Sequence, residues 1–424
     1  MPLSENLTFQ TDTTSERIRR HRKEIWNRLI ERGAAPIFPL TVPRTLRSFS
    51  LGEVAEVLGV SGSYLRQLSI DGLGPTPELG TAGRRSYTLR QINELRAYLA
   101  SARPKEALKF CPRRREGEKL QIISVAAGSA STTTSFYLAQ GLALQGYRVL
   151  AIDLDVRGSL SKMFGYLPSG YPVPNVSMFA ALRYDDDRVG MSSVIRPTHF
   201  DGLDFVPGTF ELGEFEEESS RLYRSKWGYP DASIRMVDAL KEVEEDYDVV
   251  VIHCGLGSFL TAGAYEAATG VLVTVRPEWP EIASMTLSLD HFSHDVSLIE
   301  QVGRPAAYDF IKFLVTRHDP RDVLQQDAVG LLRDSLGDDL LTATLWESDA
   351  IRQAWMKNRS LYELSVGEVG RSAYEQAMET LNSTNAEVMD IISEAWGRPK
   401  MYVSRASRST TAGKANSPSR GLSK

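Results

Sequence analysis

A segment of small residues lies where a predicted strand gives way to a predicted helix. Residues 126–134 contain only Ala, Gly, Ser and Thr. The run Ile122, Ile123 and Val125 before them is typical of a buried strand, and apolar residues at helical spacing follow as far as Gly146. A helix N-terminus offers unpaired N–H groups and a positive dipole end, so a loop in this position is suited to hold phosphate.

Further apolar runs predict other strands of the same domain. Residues 149–154, VLAIDL, are almost continuously apolar, as expected of a parallel strand that is buried on both faces. Residues 247–252, 271–275 and 310–316 predict additional strands, and amphipathic helical patterns lie between them. The sequence therefore predicts an α/β domain with a mostly parallel sheet.

These features together resemble the ParA-type partition ATPases, and in particular the RepA branch of alphaproteobacterial replication-partition (repABC) operons. That family carries a deviant Walker A loop, K-G-G-x-G-K-[ST]-T, and a following strand that ends in D-x-D-P-Q. Residues 126–133 occupy the frame of the loop, and the segment 153–155 keeps both aspartates. The resemblance implies a ParA/MinD-like P-loop fold with ATP and Mg²⁺ as ligands. It also implies nucleotide contacts at Gly128, Ser129, Ser131, Thr132, Thr133, Asp153 and Asp155.

Three charged positions of the family pattern are lost in this sequence. The signature lysine is Ala126, the lysine that should hold the β- and γ-phosphates is Ser131, and the Walker B aspartate is His253. Glycines expected at 127 and 130 are alanines, and the Pro-Gln of the second motif is Val156-Arg157. Because a charge-assisted hydrogen bond contributes about 1.5–3 kcal/mol, much of the triphosphate affinity is predicted to be lost. We predict impaired or absent ATPase activity and assign no catalytic role at the degenerate positions, Ala126, Ser131, Asp155 and His253.

Residues 44–100 have the pattern of a winged helix-turn-helix domain. Ser50 and Glu53 can form a capping box at the start of a first helix, and Gly59 can make the turn to a second helix. Residues 80–88 then predict a hairpin wing. The winged, MerR-like pattern matches the N-terminal module of the resembled family. It predicts DNA contacts at Ser61, Ser63, Tyr64, Arg66, Gln67, Arg84, Arg85 and Tyr87.

Charge is distributed unevenly along the 424 residues. The formal net charge is −5, but residues 1–117 contain about 20 Lys and Arg against about 12 Asp and Glu. A basic N-terminal part on an acidic body favours nucleic-acid binding at one end of the molecule. The alternative is that these charges only solvate the surface.

The apolar stripe of the predicted helix at 15–32 has two interpretations: dimer contacts, as in the resembled family, or docking on its own domain. The run Arg113-Arg114-Arg115 likewise predicts either a solvated surface or contacts to DNA phosphates. We predict five parts, namely an arm and helix at 1–43, the winged domain at 44–100, a basic linker at 101–119, the α/β domain at 120–400 and a disordered basic tail at 401–424.

Other features of the sequence argue against several classes of protein. The two cysteines, Cys111 and Cys254, do not suggest a disulfide framework, which fits a reducing cytoplasm. No signal-peptide pattern opens the sequence, and no apolar run reaches the roughly 20 residues needed to cross a bilayer. His291 and His294 are three apart on a predicted helix, but no further ligand cluster accompanies them, so a solvated polar face is preferred to a metal site.

The resemblance implies a plasmid-partition protein that binds operator DNA, represses its own operon and acts in the cytoplasm in association with the nucleoid. Its expected partners are DNA, a ParB/RepB-type centromere-binding protein and a second copy of the chain. Two alternatives stay open. One is a conventional ATP-dependent partition ATPase that uses the substituted residues. The other is a non-enzymatic protein that regulates or interferes with an intact RepA by forming mixed dimers.

Overall fold

The computed structural model describes residues 13–32, 44–126, 128–166, 175–224, 230–255, 259–357 and 359–403. In the described N-terminal part, the sequence forms short helices and a small antiparallel sheet of strand order β1-β3-β2. Its elements are α1 (Thr14–Glu31), β1 (Phe49–Ser50), α2 (Leu51–Leu58), α3 (Gly62–Ile70), β2 (Glu78–Leu79), β3 (Arg85–Tyr87), α4 (Leu89–Ala102) and α5 (Ala107–Phe110).

Helices α2 and α3 are bounded by the residues that the sequence suggested. Ser50 and Glu53 form a capping box at the start of α2, because each side chain accepts a hydrogen bond from the other residue's backbone N–H. Gly59 ends α2 in the left-handed conformation, with φ of 63°. Ser61 then caps α3 by accepting a hydrogen bond from the N–H of Tyr64 at 3.2 Å.

The α/β domain confirms the predicted fold class. In the part of the chain that the structure describes, its sheet has seven strands in the order β10-β9-β4-β8-β5-β7-β6, and all neighbours are parallel except the antiparallel pair β6 and β7. The elements are β4 (Gln121–Ala126), α6 (Ser131–Leu144), β5 (Val149–Asp153), α7 (Ser159–Phe164), α8 (Met178–Leu182), β6 (Arg196–Pro197), β7 (Leu203–Val206), α9 (Leu212–Arg224), α10 (Pro230–Lys241), β8 (Val249–His253), α11 (Phe259–Ala267), β9 (Gly270–Val275), α12 (Trp279–Gln301), β10 (Phe310–Val315), α13 (Val323–Leu336), α14 (Asp349–Met356), α15 (Val366–Val369) and α16 (Arg371–Ala395).

Both faces of the sheet are covered. Along β8, Val249 and Val251 belong to the core shared with α6, α7 and α16, whereas Val250 and Ile252 belong to the core shared with α8 to α11. This alternation follows from the two-residue period of a strand. The apolar core of the N-terminal unit, including Leu95 of α4, is continuous with the first of these cores.

The segment predicted as a basic linker is part of the packed structure. Phe110 is fully buried. The guanidinium of Arg114 donates to the carbonyl oxygens of Glu118 at 3.2 Å and Glu244 at 2.5 Å. Both interpretations of the arginine run, a solvated surface and a track for phosphates, are therefore wrong for Arg114, because backbone carbonyls from distant sequence positions occupy its donors.

The boundary predicted between the domain and a disordered tail at residue 401 is also wrong. Tyr402 is buried, and its hydroxyl lies 3.0 Å from the hydroxyl of Tyr147. The carboxylate of Asp390 accepts hydrogen bonds from the backbone N–H groups of Met401, Tyr402 and Val403 at 2.6, 2.8 and 3.0 Å. The packed domain thus extends to residue 403, and residues 404–424 lie outside the described part of the chain.

Helix α1 keeps its apolar stripe exposed. None of its residues is buried, and the side chains of Ile18, Ile25, Trp26 and Ile30 are 44–62% exposed. Among the described residues, α1 is therefore not docked on its own domain. In the described ranges, no helix is both long and apolar enough to cross a membrane.

Candidate functional site

The loop between β4 and α6 has a backbone that demands small residues. A Cβ atom on Gly128 would lie 2.2 Å from the carbonyl oxygen of Thr274 on β9, so a larger residue cannot fit there. Ala130, directly before α6, has φ of 62° and ψ of 20°, which costs an L-residue about 1–2 kcal/mol. Ala130 thus holds, under strain, a conformation that glycine adopts freely, and residue 127 lies outside the described residues.

A neighbouring strand fixes the position of this loop. Thr316, directly after β10, donates its hydroxyl hydrogen bond to the carbonyl oxygen of Ser129 at 2.9 Å. The N–H of Ser131 donates to the carbonyl oxygen of Gly128 at 3.2 Å. Helix α6 begins at Ser131 without a side-chain cap, so its N-terminus faces the loop as the sequence predicted.

His253, at the end of β8, fills the space beside the start of α6. Its Nε2 lies 3.2 Å from the Thr132 hydroxyl and 3.1 Å from the Ser159 hydroxyl, and the residue is 3% exposed. Its Nδ1 has no hydrogen-bond partner among the described residues. Burial lowers the pKa of His253, while Asp153 and Asp155 oppose this shift. The imidazole is therefore favoured in its neutral form.

Asp153, the last residue of β5, and Asp155, just after it, both accept hydrogen bonds from neighbouring donors. Asp153 is fully buried and accepts hydrogen bonds from the N–H and hydroxyl of Ser161 at 2.8 and 2.7 Å, and burial raises its pKa. Asp155 accepts a hydrogen bond from the N–H of Arg157 at 2.9 Å. Burial acts to raise the pKa of Asp155, but hydrogen bonds from Arg157 and Ser159 prevail and lower it. Asp153 thus orders the turn into α7 from inside the core.

The cavity that joins these groups has a volume of about 1010 Å³, and Thr132, Asp155 and His253 line it. Mg²⁺ prefers hard oxygen ligands such as carboxylates and water. Here an imidazole stands at the position where the resembled pattern has its Walker B aspartate, and its Nε2 lies 3.2 Å from the Thr132 hydroxyl. The loop also lacks both lysines of the resembled pattern, because Ala126 and Ser131 stand at their positions, so neither is present to contact the phosphates of a magnesium-bound nucleotide. The residues present therefore do not fit a magnesium-bound triphosphate.

Sequence reasoning missed several groups of this cavity. Ser159, which contacts His253, and Thr274, whose buried hydroxyl has no partner in the described ranges, carry no motif signal of their own. Thr316 contacts the loop at Ser129 without lining the cavity, and it is recognisable only as a polar residue that follows a buried strand. Of the predicted contacts, Gly128, Ser129, Ser131 and Thr132 line the cavity with Asp155. Thr133 and Asp153 are not among its lining residues.

The predicted DNA contacts divide into exposed and packed side chains. Ser63, Arg66, Gln67 and Arg84 are exposed, and Ser61 is occupied as the cap of α3. Tyr87 is 1% exposed, so its assignment as a DNA contact is corrected, because its ring belongs to the core.

Two other predicted DNA contacts are held within the protein. Tyr64 is half-buried, and the guanidinium carbon of Arg103 lies 4.6 Å from the centre of its ring. Arg85 donates to the hydroxyl of Ser69 at 3.3 Å. These contacts reduce the freedom of both side chains to reach a nucleic acid.

The pair His291 and His294 lies exposed on α12. Within the described residues, no group of three or more His, Cys, Asp or Glu side chains is arranged to hold a metal ion. The predicted polar face agrees with the exposure of both histidines.

Comparison with known proteins finds relatives that are similar to this chain in sequence and in fold. A family model described as an AAA domain matches residues 118–300. A protein of Sinorhizobium fredii with the provisional name replication protein A is 41% identical over 368 residues, which cover 85% of this chain and 90% of that protein. A protein of Rhizobium rhizogenes with the same provisional name is 37% identical over 369 residues, covering 86% and 91% of the two chains.

More distant relatives extend the similarity. Protein SopA of Escherichia coli is 26% identical over 355 residues, which cover 80% of this chain and 84% of SopA. A solved structure named "Partition Protein" is similar in fold, with a TM-score of 0.60 at 16% identity over 91% of this chain and 100% of the other. With the loop and aspartates in the predicted frame, the identity and coverage of the two rhizobial proteins show that the chain belongs to the RepA branch of the ParA-type partition family.

Proposed function

We propose that the chain is a DNA-binding plasmid-partition protein of the RepA type whose nucleotide switch is impaired. The observation that carries this proposal is the position of His253, whose Nε2 lies 3.2 Å from the Thr132 hydroxyl. A neutral ring there cannot supply the negative oxygen ligand that a hydrated Mg²⁺ requires. The protein would act in the cytoplasm at the nucleoid, with DNA and a ParB/RepB-type protein as partners, and would repress its own operon.

DNA binding is proposed for α3 and the hairpin formed by β2 and β3. Arg66 and Gln67 are exposed on α3, which follows α2 after a tight turn at Gly59. This is the arrangement in which the second helix of a helix-turn-helix enters the major groove. Arg84 is exposed between β2 and β3, where a wing would meet the phosphate backbone.

The two arginines are expected to contribute differently. Arg66→Ala should weaken binding to the cognate site by about 1–3 kcal/mol and relax selectivity, because base-edge contacts are lost. Arg84→Ala should weaken binding to all sequences alike and reduce the slope of log affinity against log salt by about one, because one phosphate contact is lost. Fluorescence anisotropy of the full chain, with the upstream region of its own gene and with scrambled DNA, measures both effects.

The same titration tests the impaired switch. Affinity for DNA should not change when ATP and Mg²⁺ are added, since the site lacks the groups that couple a triphosphate to the fold. Equal affinity for cognate and scrambled DNA would remove the operator proposal and leave only non-specific binding. A large gain in affinity on adding ATP would favour the conventional partition ATPase instead.

Self-association through α1 is proposed from its exposed apolar side chains, which nothing in its own described chain buries. The chain should therefore sediment as a dimer at micromolar concentration without nucleotide. Trp26→Glu, which places a charge in the stripe, should shift it towards monomer. Asn27→Glu adds the same charge on the side of the helix opposite Ile18, and it should leave the dimer intact. A wild-type monomer with and without ATP would contradict the proposal.

Formation of mixed dimers with an intact RepA is the second candidate function. The exposed apolar side chains of α1, through which the chain would pair, do not belong to the altered cavity. A protein that pairs normally but cannot turn over ATP would hold an intact RepA in an inactive complex. Co-purification of the chain with an intact homologue tests this candidate, and Trp26→Glu should abolish it.

A further inference from the structure

The residues that follow α4 form a basic corner against the helix-turn-helix. This name is used for residues 103–109, which contain Arg103, Lys105 and Lys109 and lead from the end of α4 into α5. The ammonium of Lys109 donates a hydrogen bond to the carbonyl oxygen of Gly59 at 2.8 Å. Because Gly59 turns the chain from α2 towards α3, this contact fixes the basic corner beside the start of α3.

Arg103 connects the basic corner to α3 itself. Its guanidinium carbon lies 4.6 Å from the centre of the ring of Tyr64, in the first turn of α3, and 5.9 Å from the centre of the ring of Phe110. A guanidinium that stacks on aromatic rings is held through its faces, so the N–H groups at its edge can still donate to a phosphate. Among the described residues, the Arg103 side chain forms no hydrogen bond or ion pair.

Lys105 is the second cation of the basic corner without a carboxylate partner. It is exposed, and it forms no ion pair with any residue that the structure describes. The carboxylate of Glu106 lies 3.9 Å from the ammonium of Lys109. Because Lys109 offsets the charge of Glu106, the basic corner keeps a net positive charge that comes from Arg103 and Lys105.

The hairpin of β2 and β3 lies at the other end of α3. Arg85 donates to the hydroxyl of Ser69, in the last turn of α3, at 3.3 Å, and the exposed Arg84 precedes it. Cations therefore lie near both ends of α3, whose nine residues span about 14 Å. The major groove is about 12 Å wide, so a helix of this length that enters it comes close to the phosphates on both sides of the groove.

We propose that the basic corner is a second phosphate-binding surface of the DNA interface. Arg103 and Lys105 contact phosphates on one side of the major groove, while Arg84 contacts those on the other. Lys109 is a positioning residue, since its hydrogen bond to Gly59 fixes the basic corner to the turn. The inference rests on the proposed binding of DNA by α3 and the hairpin. Because phosphates carry no direct sequence information, the basic corner adds affinity without adding selectivity.

Fluorescence anisotropy of the full chain over a range of salt concentrations tests this surface. Lys105→Ala and Arg103→Met should each weaken binding to cognate and to scrambled DNA by about threefold to tenfold, and each should reduce the slope of log affinity against log salt by about one. A methionine side chain can still pack on the ring of Tyr64, so Arg103→Met removes mainly the charge. Lys241→Ala removes an exposed lysine on α10 and should change neither quantity. Circular dichroism confirms that each variant is folded.

A scan with neutral phosphates distinguishes a DNA contact from an effect on the fold. In each cognate duplex of the scan, one methylphosphonate linkage replaces a phosphate and removes its charge. At the phosphates that the basic corner contacts, the wild-type chain should lose affinity, whereas the double variant Arg103→Met, Lys105→Ala should not, because its contact is already absent. The phosphates that Arg84 contacts should remain sensitive in the double variant.

Unchanged affinity and salt slope in the double variant would overturn the inference. A double variant that binds more weakly but loses as much affinity as the wild-type chain at every methylphosphonate would overturn it as well. Both results leave the proposed contacts of Arg66 and Arg84 in place, because the wild-type chain would still prefer cognate over scrambled DNA. Failure of the wild-type chain to bind duplex DNA would instead remove the proposed function together with this inference.

Discussion

Replacing Arg96 by alanine is expected to lower the free energy of unfolding by about 3 kcal/mol. The residue is 3% exposed and joins α4 of the N-terminal unit to α6. Its guanidinium donates to the carbonyl oxygens of Phe110 at 3.1 Å and Leu144 at 2.9 Å. Each carbonyl left unsatisfied costs about 1–3 kcal/mol, and the variant also loses a cation at the C-terminal end of α6.

Close packing around Arg96 adds to this cost. A Cβ atom on Gly146 would lie 2.7 Å from Cδ of Arg96, so the aliphatic stem fills its space and its removal leaves a cavity. Urea denaturation followed by circular dichroism measures the change. Arg90→Ala, an exposed arginine on the same helix, should stay within about 0.5 kcal/mol of wild type. An equally small effect of Arg96→Ala would show that this connection does not support the fold.

Elements whose causes are local in sequence could be predicted. The strands β4, β5 and β8 follow from short apolar runs, and the capping box of Ser50 and Glu53 fixes the start of α2 three residues away. The left-handed position at Ala130 could be located because the resembled family has glycine there. The apolar runs and the capping box are thus visible in the sequence itself, whereas the position of Ala130 is visible only through the resemblance.

Features with distant partners could not be predicted. The run that contains Arg114 is interpreted from sequence as either solvated or in contact with DNA phosphates, but its partners Glu244 and Glu245 lie about 130 residues later in the chain. Tyr402 is in a polar C-terminal segment, and only the fold brings it to Tyr147. The contact between His253 and Ser159 is similar, because two motifs that look independent meet only when β5 and β8 pair. Composition cannot distinguish such residues from exposed ones.

Restoring two of the three lost charges should produce the largest change in ligand binding. Ser131→Lys together with His253→Asp is expected to strengthen magnesium-dependent ATP binding by about 100-fold or more, because each restored charge-assisted contact contributes about 1.5–3 kcal/mol. The aspartate would also release the Thr132 hydroxyl, which lies 3.2 Å from Nε2 of His253 in this structure. Ser131→Lys alone should gain little, since the imidazole still occupies the metal side.

The new carboxylate gives this prediction a second measurement. Asp at 253 would lie close to Asp153 and Asp155, and three neighbouring carboxylates repel one another unless a cation neutralises them. Mg²⁺ should therefore raise the melting temperature of the double variant but not that of the wild-type chain. Adding Thr132→Ala to the double variant should cancel the gain in ATP binding. A double variant that binds magnesium-ATP no better than wild type would refute this account of the site. Steady wild-type phosphate release that Thr132→Ala or Asp155→Ala abolishes would refute it as well.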